Sequence, residues 1–153
     1  MRRTWAFPLF FAVALAACED DSATEPDPRE VEYDESLGID ISRMTETSTG
    51  LFYEDVTVGS GAVAAAGDEV DVLYSGWLPN GTLFDTTDDN GVPITFTLGA
   101  GEVIDGWDQG LVGMRVGGVR KLVIPPALGY PQGNGPIPPN SVIVFRVELA
   151  GVQ

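Results

Sequence analysis

The chain has 153 residues, room for one domain with additions, and sets 23 Asp and Glu against 8 Lys and Arg for a formal net charge of −15. That balance argues against nucleic-acid binding, which depends on basic contacts to phosphates. With no histidine and a single cysteine, Cys18, the chain excludes histidine-based triads, histidine acid-base chemistry, a cysteine zinc cluster and an internal disulfide.

Residues 1–17 open with Arg2 and Arg3, followed by a 12-residue apolar run, AFPLFFAVALAA. A bilayer span needs about 20 residues, so a basic start, a short apolar core and small residues before a cut site predict an export signal. The tetrad Leu15-Ala16-Ala17-Cys18 resembles the bacterial lipobox. The resemblance implies that Cys18 is lipidated, becomes the mature N-terminus and anchors the protein to a membrane of the cell envelope. Lipid chains bind through buried methylenes, about 0.8 kcal/mol each. Because Glu19 stands where inner-membrane lipoproteins usually carry Asp, the expected location is the outer membrane, facing the periplasm.

Residues 18–48 are predicted to be a tether. Eleven acidic residues between Glu19 and Glu46 face only Arg29 and Arg43, and so polar a segment buries too little to offset its ordering entropy. As a flexible coil of ~30 residues it would span about 30 Å. The less polar stretch SLGIDISRM (36–44) is the part expected to dock.

From residue 49 to 153 apolar β-formers alternate with Gly and Pro turns. Val70, Val72 and Tyr74 alternate with Asp71 and Leu73. Ile143, Phe145, Val147 and Leu149 alternate with Val144, Arg146 and Glu148, predicting a half-buried strand. Pro79-Asn80-Gly81-Thr82 reads as a turn between two strands. One short helix is predicted over 105–112, turning Ile104, Trp107, Leu111 and Met114 inward and ended by Gly113. Short strands with one helix give an α+β class, a curved antiparallel sheet packed on the helix.

Four ordered blocks, VLYSGWLPNGTLFDTT (72–87), FTLGAGEVIDGWDQGLVGMRVGG (96–118), RKLVIPPALGY (120–130) and IPPNS with Val144-Phe145, resemble the FKBP-type peptidyl-prolyl cis-trans isomerases from end to end of the domain. The resemblance implies a half-barrel sheet around the helix, an apolar cleft between them and rotation about X-Pro bonds without cofactor or metal. Carried over residue by residue, it gives Asp85, Tyr130, Phe84 and Trp107 catalytic roles and makes Tyr74, Phe96, Val103, Ile104, Ile137 and Phe145 substrate-binding. Trp107 would be the floor for the proline ring. Tyr130 and the Ile104 N–H would bond substrate carbonyls, and Asp85 would polarise the site from the cleft edge. Implied partners are proline-containing polypeptides, with macrolides as inhibitors, and a monomer is expected. The other reading of the same cleft is a non-catalytic peptide-binding or chaperone lipoprotein. Ile94, Pro131 and the short run 132–136 depart from the family pattern and bear on one cleft wall and on the loop after Tyr130.

Three further patterns fail. A calcium loop centred on Gly91 would put Thr86 and Thr97 where carboxylates belong. Gly99-Ala100-Gly101 has Ile104 in the third glycine position of a dinucleotide fingerprint. Residues 113–119 lack a P-loop lysine.

Overall fold

The computed structural model describes residues 24–153. The export signal, Cys18 and Glu19 lie outside the described residues. The strands are β1 (Thr45–Glu46), β2 (Phe52–Thr57), β3 (Glu69–Trp77), β4 (Leu83–Thr86), β5 (Ile94–Thr97), β6 (Val119–Ile124) and β7 (Ile143–Val152), with one α-helix, α1 (Asp105–Gly110), between β5 and β6. They form one antiparallel sheet in the order β1-β2-β6-β7-β3-β4, with β5 also paired to β3. This is the α+β arrangement expected from the sequence. β3 bulges against β7 between Asp71 and Val72, and against β4 between Gly76 and Trp77, which bends and twists a sheet locally.

The Pro79-Asn80-Gly81-Thr82 turn joins β3 to β4. Gly81 has a φ of 86°, which only glycine adopts freely, and the Asn80 side chain accepts from the Thr82 N–H at 3.0 Å.

Helix α1 is shorter than predicted and ends at Gly110. Two glycines one turn apart let it press onto β6. A Cβ at Gly106 would lie 2.7 Å from Ile124, and one at Gly110 2.8 Å from Leu122. Trp107, Leu111 and Met114 are buried as expected, in a core with Val72, Leu122, Phe145 and Leu149. The carboxylate of Asp108 accepts from the N–H groups of Gly99 (2.8 Å) and Gly101 (3.0 Å) and so fixes the turn after β5 onto the helix. The guanidinium of Arg120, itself buried, ties the other end. It donates to the Gly110 carbonyl at 2.8 Å, pairs with Asp55 at 2.7 Å and lies 4.6 Å from the Tyr53 ring centroid.

Alternate residues of a strand face opposite sides of the sheet, and here both sides are covered. On the side away from the helix, Phe52, Val123, Val144 and Trp77 stand opposite one another across β2, β6, β7 and β3. The alternation in β7 predicts Val144 facing solvent, but it is 2% exposed.

Its cover is the segment read as a tether. The stretch 36–44 docks as expected, with Leu37 and Met44 buried against this stripe and Ile39 and Ile41 packed around them, but the free tether is corrected for the residues before it, where Val31 and Tyr33 pack on the same stripe. Composition misses the reason. Three of the acidic residues start 3-10 turns, with the side chains of Asp27, Asp34 and Asp40 accepting from the N–H groups of Arg29, Ser36 and Ser42, a capping role for which Asp is well suited.

The arm is tied down by polar contacts as well. Lys121 Nζ donates to the Leu37 carbonyl at 2.8 Å, the Asp34 N–H to the Pro79 carbonyl at 2.8 Å, and Tyr33 Oη to the Pro28 carbonyl at 2.7 Å. Arg29 reaches Glu46 at 3.4 Å.

Candidate active-site cleft

The cleft lies where α1 meets the sheet. Tyr74 comes from β3, Phe84 and Asp85 from β4, Ile94 from β5, and Phe145 from β7. Val103, Ile104 and Trp107 come from the start of the helix, and Tyr130 from the stretch after the 3-10 turn Pro126–Leu128. With Glu102 these residues enclose about 170 Å³.

Trp107, 4% exposed, is held by three rings. Tyr74 and Phe145 meet it edge-on at centroid distances of 4.9 and 5.2 Å, and Phe96 lies tilted at 5.8 Å. Phe84 adds an edge-on contact to Phe145 at 5.5 Å. Such pairs contribute about 0.5–1.5 kcal/mol each beyond their area burial. Gly76, in the Tyr-Ser-Gly motif, leaves room for this cluster, since a Cβ there would stand 2.6 Å from Phe145 and 2.8 Å from Phe84. The indole Nε1 of Trp107 is buried with no hydrogen-bond partner.

Three polar groups converge on the cleft. Asp85, on the exposed edge, accepts a 2.6 Å hydrogen bond from Tyr74 Oη. The Ile104 N–H, at the N-cap of α1, has no acceptor among the described residues. The half-buried Tyr130 hydroxyl also has no hydrogen-bond partner among them. Two free donors thus border an aromatic floor, an arrangement that can take the carbonyls of a peptide whose apolar ring sits on the indole.

Burial, and after it the hydrogen bond to Asp85, pushes the Tyr74 phenol well above its ordinary pKa. A raised folded-state pKa keeps the proton on the folded chain after the unfolded chain has lost it. Its stabilisation is therefore complete below the unfolded value of about 10 and lost as pH rises through the folded value. Stability is expected to fall above about pH 10, and Tyr74→Phe is expected to flatten that alkaline limb. Urea titrations of both chains across the alkaline range measure the difference.

Of the ten candidate site residues, the cleft gathers eight. Phe96 is 6% exposed and packs against Trp107 in the core rather than lining the cleft. Ile137 lines an adjacent hollow with Phe84, Asp85, Tyr130, Asn134 and Pro136. Glu102 belongs to the cleft but was not among the predicted site residues. It sits in the same Glu-Val-Ile block, and the charge hid it beside two apolar neighbours.

The loop after Tyr130 is pinned despite its departures. Asn134 and Ile137 exchange both backbone hydrogen bonds, Gly133 N–H donates to the Tyr130 carbonyl at 2.9 Å, and Asn140 N–H to the Pro131 carbonyl at 3.0 Å. Gly133 sits at φ 78° and 2.7 Å from the Ile137 carbonyl oxygen, measured from an added Cβ, so a larger residue would reshape the loop.

A profile of the FKBP-type peptidyl-prolyl cis-trans isomerases matches residues 61–150. An FK506-binding protein of Neisseria meningitidis serogroup B is 50% identical over 105 residues, covering 67% of this chain and 96% of the relative. FK506-binding protein 2 of Dictyostelium discoideum is 53% identical over 90 residues, or 58% of this chain and 68% of the relative. Among solved structures, FkpA from Escherichia coli is similar with a TM-score of 0.68 and 42% identity, covering 78% of this chain and 55% of that one. AtFKBP13 gives a TM-score of 0.68 at 40% identity, over 72% of this chain and 99% of that one. With its cleft built from the same four sequence blocks, the chain belongs to the FKBP-type peptidyl-prolyl cis-trans isomerase family.

Proposed function

We propose that the protein rotates X-Pro bonds of exported polypeptides while anchored by a lipid on Cys18 to the periplasmic face of a bacterial outer membrane, acting as a monomer. The observation that carries the isomerase chemistry is the pairing of the Trp107 floor with two unpartnered donors, the Ile104 N–H and the Tyr130 hydroxyl. The X-Pro barrier of ~18–20 kcal/mol comes from amide resonance. Twisting the bond abolishes the resonance and the charge separation that goes with it. A dry aromatic cleft favours the less polar twisted state over the planar one, which is differential binding without a nucleophile. Tyr130 and Ile104 hold the flanking carbonyls while the bond turns. Asp85, fixed by Tyr74, supplies the field at the cleft edge.

Uncatalysed exchange takes tens of seconds, so catalysis by the mature chain is readily measured. Asp85→Ala and Tyr130→Phe are expected to lower kcat/KM while leaving a folded domain, because both side chains sit outside the buried core. Peptides with an apolar residue before proline are expected to be preferred, since Phe84, Phe145 and Ile94 form the walls. Relatives named for FK506 binding support the expectation that this macrolide competes for the cleft. A chain that binds prolyl peptides without changing their exchange rate would be a chaperone module instead. The anchor is tested separately: Cys18→Ser is expected to abolish incorporation of labelled fatty acid, and a wild-type chain that takes up no acyl label ends that part of the reading.

A further inference from the structure

We infer that the cleft selects prolyl segments carrying a basic residue next to the X-Pro pair, and that Glu102 sets this preference. The inference rests on the reading of the cleft as a prolyl site and adds the charge of its substrate. Of the residues that line the cleft, only Asp85 and Glu102 are charged, and both are acidic and exposed. Arg2 and Arg3 precede the described residues, and none of the six other Lys and Arg side chains lines the cleft. The nearest to the core, Arg120, is held by Asp55, Lys121 by the arm, and Arg29 by Asp27 and Glu46.

Glu102 is fixed on the rim. One carboxylate oxygen accepts from the Thr97 N–H at 2.8 Å, and the backbone places it two residues before Ile104, whose free N–H is the expected anchor for a substrate carbonyl. A side chain just outside the X-Pro pair therefore passes the Glu102 rim on one wall or the Asp85 rim on the other. The apolar walls take the residue before proline, so the charge belongs one position further out. In water, one or two such contacts change binding roughly three- to tenfold, and salt screens them.

Capped peptides Lys-Leu-Pro-Phe, Gln-Leu-Pro-Phe and Glu-Leu-Pro-Phe, assayed with the mature protein at low ionic strength, are expected to rank in that order by kcat/KM and by calorimetric affinity, with the gap closing in molar salt. In Glu102→Gln, which keeps an acceptor for Thr97, the Lys-to-Glu ratio is expected to shrink. Asp40→Asn removes the same charge from the arm and is expected to leave the ratio alone, which separates a rim effect from net charge. Equal values for the three peptides, or a ratio that survives Glu102→Gln or falls equally in Asp40→Asn, would overturn the inference. Absence of turnover with the affinity ranking intact would instead overturn the isomerase reading.

Discussion

Trp107→Ala is expected to cost the domain about 3–5 kcal/mol and to abolish measurable isomerisation. The indole is 4% exposed and touches Tyr74, Phe96 and Phe145 within 6 Å between ring centroids. Removing it leaves a hole that three fixed rings and a helix held by Gly106 and Gly110 cannot collapse into, and it removes the surface proposed to carry the proline ring. Urea denaturation gives the first loss and a prolyl-peptide assay the second. Trp107→Phe separates them. It retains an aromatic floor and deletes the indole N–H, which is buried without a partner and by itself costs the fold about 1–3 kcal/mol. The phenylalanine chain is therefore expected to stay folded with only part of its stability lost, and any large fall in its kcat/KM then belongs to the floor. A Trp107→Ala chain as stable and as active as the parent would refute both roles.

The second large effect is expected from the arm. A chain beginning at residue 45 keeps the whole catalytic sheet and the cleft, yet uncovers Phe52, Val123, Val142 and Val144, each under 4% exposed in the full chain. Returning such side chains to water costs about 1.5–3 kcal/mol apiece when exposure is complete, partly offset because the shorter chain no longer orders the arm. The shorter chain is expected to be the less stable of the two. The apolar stripe left bare would then drive self-association. Thermal unfolding and sedimentation of the two chains measure the outcome, and Leu37→Asp in the full chain probes the same contact with one substitution. Equal stability and a monomeric short chain would mean that the arm contributes no net docking energy.

The cleft was legible in the sequence because its parts are local signals in a fixed order. The Asn80-Gly81 turn sets the β3–β4 hairpin that carries Phe84 and Asp85, and the glycine-bracketed helix presents Trp107. What alternation cannot tell is which of two covered faces a strand residue meets. Val144 therefore reads as surface and is covered, whereas Phe96, which the family resemblance puts in the cleft, packs on Trp107 in the core on the helix side of the sheet. The arm is legible only in its less polar stretch 36–44, and the rest is hidden for a different reason. Net acidity describes a solvated coil on average, but Asp27, Asp34 and Asp40 each act locally as a turn-former. Two residues, Leu37 and Met44, are then enough to fill a stripe that the sheet itself supplies. That stripe was visible only after the strands were in register.

Were Cys18 to carry the proposed lipid, docking of the arm would also set the length of the leash. A free coil from Cys18 would let the cleft sample the space around its anchor, but Glu25 and Pro26 already line a surface hollow together with Gly50, Pro125 and Ala127. From a lipid on Cys18 to Thr24 there are six residue steps, at most about 20 Å of contour. The attachment lies beside the turn that leads on to Tyr130. An enzyme moored by the proposed lipid would work as a surface-bound catalyst, meeting prolines of chains that pass close to the bilayer rather than those diffusing through the compartment. Lengthening the leash between residues 23 and 24 would widen its reach without altering the cleft.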